Sequence, residues 1–286
     1  MDDTEVRSEE TEDSSQSGEG MVMPHLPERY IEKGLKVLLG EDYSYDTLTH
    51  TEDDLSLGRD RLNHRLSAIE SRRQKNIENV IRSAFDAITL NDNIVADNQT
   101  EPSVDWMARF IRQVEDISNP ELQSVWAHIL ALEACQPGRF SLMTLDLLSS
   151  FNPDDALLCG QLGCLAYPEG YLFKIDGQNN FDSFGLTESK IFRLQGLGVI
   201  WEAEDLGITY HSATKGLSLN YRGDKLVIRH PESELFSFPA FRLSPAGLEL
   251  ALAFADGPVY ADYLTAFGDS LRGQGYDYRY QPAGRD

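Results

Sequence analysis

The chain reads as mostly α-helical, a helical N-terminal and central domain followed by a small α+β module with a winged-helix-like order of elements. Three observations predict this. Helix starts and stops are spelled out repeatedly between Asp105 and Phe151, apolar residues keep to one helical face from Arg59 to Leu90, and short alternating strands with turn residues take over after Pro168.

Residues 1–22 are rich in Asp, Glu, Ser, Thr and Gly and poor in bulky apolar side chains, so a disordered acidic tail is expected. Residues 23–58 read as a short helix through Tyr30, Ile31, Leu35 and Leu38, closed by Gly40, and then a polar linker. The helical domain follows over 59–166. Its first helix carries Leu62, Leu66, Ile69, Ile77, Val80, Ile81, Ala84, Phe85 and Ile88 on one face, and thirty residues of it would span about 45 Å. Further helices are expected at 101–116, 119–134, 141–149 and 153–165. Ser118 stands three residues before Glu121 in the pattern of a capping box, and Pro137-Gly138 stops that helix before Ser141 caps the next. Asn152-Pro153 with Asp154 and Asp155 is a strong start signal: a capping amide, a proline where no amide hydrogen is needed, and acids at the positive end of the dipole.

The module over 167–267 is expected to hold a strand at Tyr171–Ile175, a helix from Thr187 to Leu194 and a strand at Val199–Trp201. A hairpin across Arg222-Gly223-Asp224, a strand at Phe241–Leu243 and a helix over 246–255 complete it. Residues 268–286 are read as a flexible tail.

The 286 residues carry a net charge of −22, and 41% are hydrophobic, enough for a sizeable core. The acidity is uneven: residues 1–60 hold 17 acids against 5 bases, whereas 61–90 hold 3 acids against 6 bases. Most of the surface should therefore repel nucleic acid. No run of about 18 apolar residues occurs, and the acidic start MDDTEVRSEE is unlike a signal peptide, so the expected location is cytoplasmic. Cys135, Cys159 and Cys164 are odd in number and lie among apolar neighbours, which suits buried thiols.

Reactive constellations are not apparent in the sequence. Gly268-Asp269-Ser270-Leu271 matches the tetrapeptide of a serine hydrolase class, but no histidine follows it to serve as base. His128 and Glu133 are five apart on one helix and diverge; Glu202, Glu204, Asp205 and His211 read as a solvated loop. No GxGxxG, Walker A or HExxH pattern is present, and no cofactor, metal or catalytic residue is assigned. Trp106, Phe110 and Val114 form a core stripe, with Arg109 in reach of Asp105 across one turn.

The basic cluster Arg72, Arg73 and Lys75 runs against the global charge and suits an acidic surface of the same chain or of a second copy. With Ile77 and Ile81 it forms the candidate interface of a homo-oligomer. A nucleic-acid contact through the C-terminal module would use Lys190, Arg193, Arg222, Lys225 and Arg229.

The segments RRQKNIENVIRSAF, DWMARFIRQVEDIS, ELQSVWAHILALE, PGRFSLMTLDLL and FRLSPAGLELA together resemble a bacterial domain-of-unknown-function family. Its members share the W-A-x-I-L and S-x-x-T-L helices with Abi-alpha-like proteins of phage abortive infection. The resemblance covers about residues 70–255 and implies a helical fold and a role in anti-phage or stress response, with no catalytic residues to carry over. The leading expectation is a non-enzymatic regulatory or protein-interaction protein. The alternatives are a nucleic-acid-binding regulator and a metal-dependent hydrolase or nuclease.

Overall fold

A computed structural model describes residues 55–90, 103–176, 181–201, 207–230, 232–255 and 260–283, together with Ile31, Lys33 and Lys36, which lie in helix. The expected acidic tail over 1–22 and most of the linker to 58 fall outside the described residues. The chain divides into two compact units, residues 1–70 and 71–286. In the first unit the described part is mainly the opening of helix α1 (Leu55–Leu90), where Leu62 and Leu66 are exposed.

The second unit holds the remainder of α1 and fourteen further elements. Helices α2 (Val104–Val114), α3 (Pro120–Cys135), α4 (Leu142–Leu148) and α5 (Pro153–Leu165) come first. Strand β1 (Tyr171–Phe173), a short 3-10 turn (Asp182–Phe184) and α6 (Glu188–Gly196) follow. Four strands come next, β2 (Gly207–His211), β3 (Gly216–Tyr221), β4 (Asp224–Arg229) and β5 (Leu235–Arg242). Helices α7 (Pro245–Ala253) and α8 (Ala261–Arg272) and strand β6 (Asp277–Gln281) close the unit. The protein is thus mostly helical, with two antiparallel three-stranded sheets ordered β1-β5-β2 and β3-β4-β6.

The helix starts follow local chemistry. Asn119 accepts hydrogen bonds from the amides of Glu121 and Leu122, so the cap is Asn119 and not Ser118. Proline at the first helical position leaves only the next amides to satisfy, and the Asn119 side chain is the one in reach. Ser118 instead accepts from Asn76. At α5 Asn152 and Asp155 form a reciprocal capping box, and Ser244 caps α7 through Gly247.

One apolar core runs through the helices and both sheets, from Val80, Phe110 and Trp126 to Phe173, Phe238 and Phe267. The expected division at 166/167 is therefore not a break in packing. The reason lies in α5, where a Cβ added to Gly163 would run into the Ala251 carbonyl. Glycine there lets α5 and α7 approach backbone to backbone, joining the helical centre to the C-terminal part.

The C-terminal part differs from its sequence reading in three places. The expected strand at Val199–Trp201 contracts to a single bridge between Ile200 and Leu243, and β2 falls where an acidic loop was expected. The hairpin forms as read, with Arg222 at φ 49° and Gly223 at φ 95° making the turn. The stretch expected to be a flexible tail instead holds the end of α8 and strand β6, which adds a third strand to that hairpin. Its anchor is Asp224, 1% exposed, which accepts from the Tyr280 hydroxyl and the Ala283 amide. That bond spans more than fifty residues, and no local periodicity announces it.

Candidate interaction cleft

Helices α3 and α5 leave a cleft of about 750 Å3 between them, lined also by Phe254 and Tyr260. Val125 and His128 of α3 face Ala156, Leu157, Gly160 and Gln161 of α5. Helix α5 is apolar nearly all round, more than burial against α7 requires, and Leu157 remains 69% exposed. That surplus is the sequence signal for the cleft. Among the described residues, Glu121 and Asp154, in the first turns of the two helices, are the charged groups lining it.

His128 in the wall of the cleft and Asp155 beside it are already engaged. His128 donates from Nε2 to the Ala253 carbonyl at 2.9 Å, tying α3 to the C-terminal end of α7. Asp155 receives two bonds from Arg193, at 2.8 and 2.7 Å, and its Oδ2 also accepts from the Asn152 amide. The Arg193 guanidinium, helped by the Asn152 amide, outweighs burial and holds the Asp155 carboxyl below its ordinary value. Cys164 lines the cleft, and burial raises the thiols of Cys135 and Cys159, which favours the unreactive protonated form.

Other residues singled out in the sequence are likewise engaged. Glu133, 1% exposed, accepts from the amides of Gly138 and Phe140 and so shapes the turn after α3. Ser270 donates to the Phe267 carbonyl within α8, and Asp269 binds Arg272 and Tyr278, so the hydrolase-like tetrapeptide is helix packing. His211 stands 3.5 Å from Glu234, while Glu202, Glu204 and Asp205 lie outside the described residues. Among the described residues no group of three or more His, Cys, Asp or Glu converges as a metal site. Arg109 pairs with Asp146 at 3.3 Å and not with Asp105, because α4 packs against α2.

The basic cluster meets acids of its own chain. Arg72 and Arg73 converge on Asp116 at 3.0 and 3.1 Å, and Arg73 also reaches Glu115. The Arg73 bond leads in holding the Asp116 carboxyl below its usual range. Beside them Asn76, 4% exposed, donates to the Glu115 carbonyl and to Ser118, and Gln123 donates to Asn76. Lys75 is exposed, whereas Ile77 and Ile81 are half-buried and pack against the core of the same chain. Those two isoleucines thus belong to internal packing.

The five residues assigned to nucleic-acid contact separate. Lys190 donates to Gln161 and the Gly185 carbonyl, Arg193 is held by Asp155, and Arg222 donates to the Ala255 carbonyl. Lys225 and Arg229 stand exposed on β4.

Residues 60–172, which include α3 and α5, match the model of a family described as Protein of unknown function (DUF2806). No curated protein and no solved structure matches the chain.

Proposed function

We propose that the protein is a non-enzymatic interaction protein whose α3/α5 cleft receives a segment of another protein that is apolar on one side and basic at its edge. The observation that carries this is the cleft itself, an apolar groove with an exposed leucine and, among the described residues, acids as its only charged lining. The commitment of Glu133, Asp155, His128 and Ser270 to structural bonds supports the non-enzymatic part. Selection from a random peptide library on the full chain tests the reading. Leu or Phe at helical spacing beside Lys or Arg should be enriched, and Leu157→Asp should abolish the enrichment. Enrichment of acidic sequences, or turnover of a nucleotide or nucleic acid lost on a point substitution, would overturn it.

Assembly into a homo-oligomer belongs to the same proposal, with the exposed Leu62, Leu66 and Phe85 of α1 as its support. Light scattering on the purified chain should give more than one copy at micromolar concentration, and a monomer mass removes it. An anti-phage or stress-response setting rests on the sequence resemblance. What supports a second reading, nucleic-acid binding through a winged-helix-like C-terminal module, is the exposure of Lys225 and Arg229.

A further inference from the structure

Between residues 103 and 283, the basic charge left uncommitted among the described residues lies on the outer face of the sheet β3-β4-β6. Between residues 103 and 283 the chain has 13 Lys and Arg side chains. Ten have a partner, as Arg193 has Asp155, Arg222 has the Ala255 carbonyl and Arg242 has the Trp201 ring. The three without a partner among the described residues are Lys225, Arg229 and Arg279, and all three lie on this one face.

The register fixes their arrangement. Side chains alternate across a strand, so Lys225, Val227 and Arg229 share a side of β4, and Arg279 of β6 stands opposite Val227 between the two β4 cations. Lys225 and Arg229, four residues apart, are separated by about 13 Å, and Arg279 sits on the next strand about 5 Å away laterally. Strand β3 adds Gly216, Ser218 and Asn220 to the same side, which brings no acid and little bulk. Asp277, opposite Arg229 in register, is the one carboxylate on the face, and it makes no ion pair with it. Three cations kept unpaired together in a chain of net charge −22 invite an anionic partner.

We infer that this face docks a short, extended acidic segment of another protein, through carboxylates paired to Lys225, Arg229 and Arg279. Carboxylates at alternate residues of an extended segment repeat every 6.6 Å or so, which suits the triangle of cations, and Ser218, Asn220 and Gln281 offer hydrogen bonds around it. Nucleic acid fits less well. The aromatic side chains of β6, Tyr278 and Tyr280, are directed to the opposite side, to Asp269 and Asp224, so no ring is offered for base stacking. A long polyanion would also reach past the face onto a net acidic surface. The inference is independent of the cleft, which lies on other elements.

Fluorescence anisotropy with a labelled peptide of alternating Glu and Ser, about a dozen residues long, tests it on the full chain. Binding should weaken with salt and fall by about tenfold or more in Arg229→Ser/Arg279→Ser, while Leu157→Asp leaves it unchanged. The double variant removes exposed side chains only, and an unchanged thermal melt shows that it folds. A single-stranded oligothymidylate run in parallel should bind more weakly than the peptide. Peptide affinity unchanged in the double variant, no peptide binding at low salt, or tighter binding of the oligonucleotide lost in that variant would each overturn the inference.

Discussion

The α3/α5 cleft and the β3-β4-β6 face are opposites in shape and charge. The cleft is concave and apolar with Glu121 and Asp154 in its lining, whereas the face is flat and polar and carries Lys225, Arg229 and Arg279. Both surfaces are held by polar groups whose bonding capacity is spent on the scaffold: Asp155 behind the cleft and His128 in its wall, Asp224 behind the sheet. The difference teaches where to look for function in such a chain. Groups already saturated by internal bonds build the surface, and the side chains left over give it its specificity.

The comparison can be broken most severely at Gly163. Gly163→Ala drives a methyl into the Ala251 carbonyl and should cost about 3 kcal/mol, because neither helix backbone can yield without disturbing the shared core. Chemical denaturation measures this, and a loss near zero would mean that α5 and α7 are not in close contact. Asp224→Ala should cost less, about 2 kcal/mol, by taking the acceptor from the half-buried Tyr280 hydroxyl and Ala283 amide. It would release β6 and with it Arg279, so acidic-peptide binding should fall while the cleft is spared. Hydrogen exchange localised to residues 277–281 checks the outcome.

Acid separates the two regions in another way. Asp155, behind the cleft, has its folded value held below the ordinary carboxylate value of 3.8 by Arg193. The stability it adds is present above that ordinary value and is lost as pH falls through the lowered one. Arg193→Gln should therefore weaken the protein at neutral pH and flatten its loss below about pH 4, measured by melts across pH. An unchanged acid profile would contradict the Asp155 assignment. The smallest expected effect is at the opening of α3: Asn119→Ala should cost about 1 kcal/mol through the lost cap. Ser118→Ala would act only through the Asn76 bond, and a larger loss there than at Asn119 would reverse the cap assignment.

These variants also mark how far the sequence could be read. Helices α2 to α5 were legible because their signals are local: Asn152-Pro153, Pro137-Gly138, and the stripe of Trp106, Phe110 and Val114 that is indeed buried. The cap at Asn119 was within reach, since it repeats the Asn-Pro pair read correctly at α5. Strand β6 was not, because Asp277–Gln281 looks like a Gly- and Tyr-rich tail until β4 supplies its partners. The cleft was half visible, in the apolar surplus of α5, but its other wall depends on how α3 packs. The cationic face needed the register itself. Lys225 and Arg229 stood out in the sequence beside Lys190, Arg193 and Arg222, and only the structure shows which of the five are already bound.

The most direct test of the account maps a basic, amphipathic helical peptide onto the isotope-labelled full chain by NMR. The expected result is a set of shifts confined to the cleft, at Val125, His128, Leu157 and Tyr260, with none at Lys225, Arg229 or Arg279. Shifts centred on the sheet, or no saturable shifts at all, would contradict it.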